Sequence, residues 1–192
     1  IMNRYMTAMT AKILENNGTL DKYIGDAQMA FWNAPLDDAQ HAKNAVKTAL
    51  QMLGNLEDFN NEIAKEGVPP FGMGLGINTD IVVVGNMGSS QRFDYTCLGD
   101  GVNLASRLEG QSKPYGVKIV LGTKTAEYVK DEYFVLELVW SFLILSTISK
   151  NQLRTGLPVC SMPMIRSWVF GCSSSEQKCL RSRAIRYSSV TR

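Results

Sequence analysis

The chain has 192 residues, 45% of them hydrophobic and 20% charged, which is enough length and apolar content for one domain with a core and argues against a disordered or fibrous chain. A formal net charge of +2 gives no strong pull toward nucleic acid or a membrane surface. The four cysteines, Cys97, Cys160, Cys172 and Cys179, form no C-x-x-C pair, which argues against a zinc site or a disulfide framework and fits a reducing, cytoplasmic compartment.

Apolar residues at Met2, Met6, Met9 and Ile13 recur at helical spacing, and Asn16-Asn17-Gly18 supplies a stop, so the first element is a helix. No capping residue precedes it and no signal-peptide pattern is present; the chain reads as a fragment cut from a longer protein. Thr19 to Ile24 alternates as a strand, Gly25-Asp26 suits a two-residue hairpin turn, and Ala27 to Asn33 returns as the partner strand, ended by Pro35. Asp37 and Asp38 can cap a long helix whose apolar positions are Ala42, Ala45, Val46, Ala49, Leu53, Leu56 and Ile63. Gly67 and Pro69-Pro70 stop it. His41, the sole histidine, is expected at the surface where this helix begins.

Residues 71–78 and 81–87 read as two strands joined by a short turn, and 88–95 as a polar loop. The glycines of "GMGLG" have no helix after them, so they point to close backbone packing in a strand rather than to a phosphate loop. Residues 99–111 predict a helix and 117–122 a strand. Thr123 is expected to cap a short helix reaching Lys130, and 133–138 predicts another strand. Helices alternate with hairpins, which predicts an α+β fold: a mostly antiparallel sheet with helices packed on one side of it. Beyond Leu138 the periodicity fades, and residues 139–192 read as an atypical tail, irregular or shifted in reading frame. The apolar run at 135–148 carries Glu137 and is shorter than the roughly 18 to 20 apolar residues a membrane span needs, so it reads as a buried strand continuing into the irregular tail.

Several side chains could carry chemistry, although each has a plain structural explanation when taken singly. Asp26 suits a turn, but a carboxylate raised on a hairpin tip can also bind a divalent cation, and Mg²⁺ accepts one or two carboxylates plus substrate phosphates. Asn103 and Arg107 lie four apart, on one helix face. That face is either simply solvated or able to hold a hydroxyl and fork onto phosphate oxygens. Lys22 fits a strand lysine pointing to water, and Thr96 a β-branched strand residue.

Together they are more specific. "LDKYIGDAQMAFWNAP" (20–35) followed by "GNMGSSQRFDYTCLGDGVNLASRLEGQSK" (85–113) resembles a class III adenylyl/guanylyl cyclase catalytic domain, above all the bacterial adenylate cyclases in which it follows a membrane-bound sensor. The resemblance covers residues 1–138. It implies the nucleotide cyclase fold and the conversion of ATP to 3′,5′-cyclic AMP and pyrophosphate with two Mg²⁺ or Mn²⁺ ions, in intracellular cyclic-nucleotide signalling. It implies that Asp26 is one of two metal aspartates, that Lys22 and Thr96 read adenine, that Asn103 orients the ribose and that Arg107 steadies the α-phosphate. Lysine paired with Asp or Thr implies ATP, where guanylyl cyclases carry Glu and Cys; Cys97 is next to the second position, not at it. The family works as a head-to-tail dimer, so the implied partners are ATP and a second copy, with no nucleic acid. The implied place is the cytoplasm, at the membrane if the parent carries a membrane sensor.

Three departures from the family pattern stand out. The second metal aspartate belongs to a strand upstream of Ile1, so this chain alone is expected to be inactive or very weak. Asp80 stands where the family has Gly, which predicts strain if that turn needs a positive φ. The closing Lys-Gly-Lys stretch is missing. A non-catalytic dimerisation or regulatory module with the same fold is the rival reading.

Overall fold

The computed structural model describes residues 1–138, 142–144 and 164–172, the last two stretches as backbone alone. The elements, in chain order, are α1 (Met2–Glu15), β1 (Thr19–Ile24), β2 (Ala27–Trp32), α2 (His41–Ala64), β3 (Gly72–Asp80), β4 (Val83–Ser89), β5 (Arg92–Leu98), α3 (Asp100–Gln111), β6 (Ile119–Leu121), α4 (Thr123–Val129), β7 (Val135–Glu137), β8 (Phe142–Ile144) and β9 (Met164–Cys172). Seven strands form one sheet in the order β1-β2-β9-β3-β6-β8-β7, and β4 with β5 forms a separate antiparallel ribbon.

The expected α+β architecture is present. The sheet is antiparallel at its margins, in β1/β2 and in β6/β8/β7, and parallel in the middle, in β2/β9, β9/β3 and β3/β6. A crossover through α2 makes β2 and β3 run the same way with one strand's width between them, and β9 occupies that seat. Beyond Leu138 the apolar run is strand at 142–144, and 164–172 forms a further strand. Two flanking strands present unpaired backbone groups there, and a third strand satisfies them whatever its own periodicity. The rest of the tail, with Cys160 and Cys179 and half of the 135–148 run, lies outside the described residues.

Alternation on β2 and β3 divides the interior in two. Ala30 and Trp32 of β2 and Met73, Leu75 and Ile77 of β3 face α1, α2 and α4, meeting Tyr5, Met9, Ile13, Met52, Ile63 and Val129. Met29 and Phe31 face the other way, toward Cys97 of β5 and Ala105 of α3. The helices therefore lie on both sides, three on one and α3 on the other, rather than on one side as the alternation of elements suggested.

The α1 stop works as the sequence predicts. Asn17 takes a positive φ of 61°, and a Cβ on Gly18 would come within 2.6 Å of Trp32 and 2.7 Å of Ile13. Two expected caps differ. The N-cap of α2 is Gln40, and Asp38 acts ahead of it by accepting hydrogen bonds from the Gln40 N–H and the Asn44 side chain, both at 2.8 Å. Gly122, not Thr123, is the N-cap of α4. His41 is buried, not superficial: it is 5% exposed and packs edge-on against Tyr128. Burial holds its pKa below the usual histidine value, with Asp38 opposing.

The polar loop expected at 88–95 is mostly strand. β4 and β3 do not pair; β4 turns back on β5 from Ser89↔Arg92 to Val83↔Leu98. The alternation Phe93, Tyr95, Cys97 carries the strand signal, and charged and polar neighbours mask it.

Candidate active site

The β1–β2 turn has Ile24 paired with Ala27, leaving Gly25 and Asp26 as its two loop residues, with Gly25 at φ 65°. Asp26 is exposed, and among the described residues it has no hydrogen-bond or ion-pair partner. It lines an open cavity of about 600 Å³ with Gly25 and Tyr23 of the hairpin and Met2, Asn3, Met6 and Thr7 of α1. The hairpin is held to α1 by the Tyr23 and Thr10 hydroxyls, 2.9 Å apart. An unneutralised carboxylate at the mouth of a cavity can take a cation. Among the described residues no group of three or more His, Cys, Asp or Glu could hold a metal ion.

Lys22 and Thr96 come together through a residue the sequence reading missed. β1 pairs Leu20 with Ala30 and Lys22 with Met29, so Asp21 is an extra residue in a β-bulge. The bulge lets Leu20 and Tyr23, three apart, both face α1, and it turns Asp21 and Lys22 together toward β5. The Asp21 side chain is 0% exposed. Its Oδ2 accepts a hydrogen bond from the Thr96 hydroxyl at 2.5 Å. Its Oδ1 accepts no aligned hydrogen bond but lies 3.3 Å from the Lys22 ammonium. The signal was available: apolar residues at an odd spacing inside a strand imply an inserted residue.

α3 presents Asn103 and Arg107 on its exposed face, and among the described residues neither has a hydrogen-bond or ion-pair partner. Its opposite face, with Ala105 and Leu108, is buried. Gly76 of β3 seats this helix: a Cβ there would lie 2.2 Å from the Ala105 carbonyl oxygen and 2.3 Å from the Glu109 nitrogen. That is the close backbone packing read from "GMGLG". The Asn78 side chain adds a hydrogen bond to the Gly101 carbonyl at 3.0 Å. No hydrogen bond or ion pair among the described residues joins Asp26 to Asn103 or Arg107.

The strain expected at Asp80 is absent. Among the described residues the non-glycine residues with positive φ are Asn17 and Asn33. Asp80 ends β3, accepts a hydrogen bond from Lys124 at 2.5 Å, and that contact holds its pKa below the usual carboxylate range. Among the described residues no helix is long and apolar enough to cross a membrane.

The family model described as "Adenylate and Guanylate cyclase catalytic domain" matches residues 1–144. "Adenylate cyclase" of Anabaena cylindrica is 39% identical over 144 residues, covering 72% of this chain and 28% of the relative. "Adenylate cyclase 1" of Rhizobium meliloti (strain 1021) is 37% identical over 131 residues, covering 68% of this chain and 20% of the relative. The chain thus spans less than a third of the length of these curated relatives. The crystal structure of the guanylyl cyclase Cya2 superposes with a TM-score of 0.63 at 25% identity, covering 79% of this chain and 81% of that one.

Proposed function

Because this chain belongs to the adenylate and guanylate cyclase catalytic domain family, we propose that it is the catalytic part of an adenylate cyclase acting on ATP at a site shared by two copies. The observation that carries the proposal is the pair of unpartnered, exposed groups: Asp26 at a hairpin tip, and Asn103 with Arg107 on one helix face. Each group alone is half of a phosphoryl-transfer site. In a head-to-tail pair, Asp26 of one copy would face Asn103 and Arg107 of the other. The exposed apolar side chains of the β4–β5 ribbon, Val83, Phe93 and Leu98, give such a pair a surface to bury.

In the reaction the ribose 3′-hydroxyl gives up its proton to solvent as its oxygen forms a bond to the α-phosphorus, the bond from that phosphorus to the bridging oxygen breaks, and pyrophosphate departs. Asp26 would hold divalent ions carried mainly by the nucleotide phosphates. Its open, unneutralised position suits that task, although one carboxylate does not complete a two-ion set. Bound ions of this kind lower the pKa of the attacking hydroxyl and balance charge on the leaving group. Arg107 forks onto the α-phosphoryl oxygens as their charge grows, stabilising the transition state more than the ground state. Asn103 holds the ribose so that the attack is in line. Lys22 and Thr96 bind the base. The same reading places the domain on the cytoplasmic side of any membrane sensor in the longer protein.

The test is complementation in the chain extended upstream by the strand that carries the family's second metal aspartate. In that background Asp26→Ala and Arg107→Ala should each strongly depress cyclic AMP formation from ATP with Mn²⁺, and mixing the two variants should restore part of it, because one mixed site keeps both groups. Activity in either variant alone comparable to the unsubstituted extended chain would refute the assignment. No activity in the unsubstituted extended chain under any divalent ion would favour the non-catalytic module.

A further inference from the structure

The relatives named adenylate cyclase and the superposing guanylyl cyclase show that the fold leaves the choice of base open. The choice must come from hydrogen-bond polarity at the base site. Adenine presents an N–H donor at its exocyclic amine and an acceptor at N1. Guanine presents the reverse order, an acceptor at O6 and a donor at N1. Threonine is ambiguous between them, because its hydroxyl can either donate or accept.

Asp21 removes that ambiguity. Thr96 has one hydroxyl hydrogen, and it is given to Asp21 Oδ2 at 2.5 Å inside a carboxylate that is 0% exposed. A carboxylate that accepts from Thr96 leaves that oxygen only lone pairs for any further partner. The Lys22 ammonium, 3.3 Å from the other carboxylate oxygen, can only donate. Lys22 stays 40% exposed and able to reach a ligand, while Thr96 is 6% exposed and held in place.

We propose that Asp21 is the specificity-determining residue of the base site: by orienting Thr96 as an acceptor beside a fixed donor, Lys22, it admits adenine and rejects guanine. Asp21 acts through Lys22 and Thr96 rather than on the base itself, so it is a positioning residue. The inference rests on the reading that Lys22 and Thr96 bind a purine nucleotide.

Asp21→Asn inverts the device at almost constant shape. Its amide carbonyl is drawn to the Lys22 ammonium, so its NH₂ faces Thr96 and donates to it. The threonine hydrogen is then freed toward the base, which suits guanine O6. The measurement is competition by ATP and by GTP against a fluorescent ATP analogue on the 192-residue chain, with thermal unfolding recorded alongside. The parent should prefer ATP. Asp21→Asn should shift the ATP-to-GTP affinity ratio toward GTP by about tenfold or more, the scale of one inverted buried hydrogen bond. Thr96→Ser, which keeps the hydroxyl, should retain the preference, and Thr96→Val should lose it.

If Asp21→Asn weakens both nucleotides alike and leaves the ratio unchanged while Lys22→Ala abolishes the preference, Asp21 is merely structural and the inference fails, with the nucleotide site intact. If Asp21→Asn does not fold, the Thr96 pair decides: Thr96→Val keeping the parental ratio overturns the inference. If the parent shows no preference for ATP, or binds neither nucleotide, the adenine-site reading fails and takes the inference with it.

Discussion

The seat of α3 on Gly76 can be tested by a single methyl group. In Gly76→Ala the new Cβ would stand 2.2 Å from the Ala105 carbonyl oxygen, 2.3 Å from the Glu109 nitrogen and 2.9 Å from the Glu109 Cα. All three are backbone atoms of one helix, so no side chain can rotate away. Reaching ordinary contact requires α3 to lift from the sheet by on the order of 1 Å. Overpacking typically costs about 1–3 kcal/mol, and a rigid backbone obstacle belongs at the top of that range. About 3 kcal/mol in a chain of this length lowers the melting temperature by roughly 6–12 °C. The same lift moves Asn103 and Arg107, and a displacement near 1 Å can cost about 10² in rate. Circular dichroism melting with a cyclic AMP assay reads both effects. Gly110→Ala is the control: a Cβ there meets nothing within 4 Å, on the same helix, so it should stabilise by roughly 0.5–1 kcal/mol through helix propensity. A Gly76→Ala protein that melts and turns over like the unsubstituted chain would refute the argument that this glycine sets the height of α3.

Three further outcomes are expected. Arg107→Ala should lower the rate of cyclic AMP formation by about 10²–10³. Because Arg107 is exposed and without a partner among the described residues, its melting temperature should stay at the parental value; a large loss of stability would make it a structural residue instead. His41 has its pKa depressed by burial, so the unfolded chain takes up its proton first as pH falls below about 6.5, and stability drops from there down to the lower folded value. Thermal melts at pH 7.5 and 5.5 should therefore show a smaller acid-induced loss in His41→Gln than in the parent, and equal losses would sink that reading. Val169→Pro removes a backbone N–H from the middle of β9, which pairs on both sides, and should destabilise by about 1–3 kcal/mol, the cost of a buried backbone group left unpaired. An unchanged melt would show that β9 contributes little to the sheet.

What could be read from the sequence follows the range of the forces involved. The hairpin around Asp26, the stop at Asn17-Gly18 and the helical face carrying Asn103 and Arg107 depend on residues a few positions apart, and the local pattern shows them. Residues 92–95 of β5 read as part of a polar loop because the pattern of Phe93, Tyr95 and Cys97 is interrupted by charge, and its strand character depends on pairing with β4. His41 was placed on the surface because histidine at a helix start is ordinarily wet; Tyr128, from a distant helix, covers it. β9 was invisible for the same reason in stronger form, since its seat is made by β2 and β3.

Asp21 shows a subtler limit. In the sequence Lys22 beside it stands out as a candidate and Asp21 itself does not, and only the bulge turns Asp21 inward against Thr96. The bulge was nonetheless written in the chain, because Leu20 and Tyr23 cannot share a face of a regular strand. The glycines of β3 are the complementary case. Met73, Leu75 and Ile77 fill one core, and Gly76, out of phase with them, leaves room for the α3 backbone on the other face. Both signals are departures from simple alternation, one an odd step and the other a missing side chain. In this chain each sits beneath a group proposed to meet the nucleotide: the odd step beside Lys22 and Thr96, the missing side chain under the helix of Asn103 and Arg107. A strand that must support chemistry on one face while filling a core on the other has to break its period where the two demands meet.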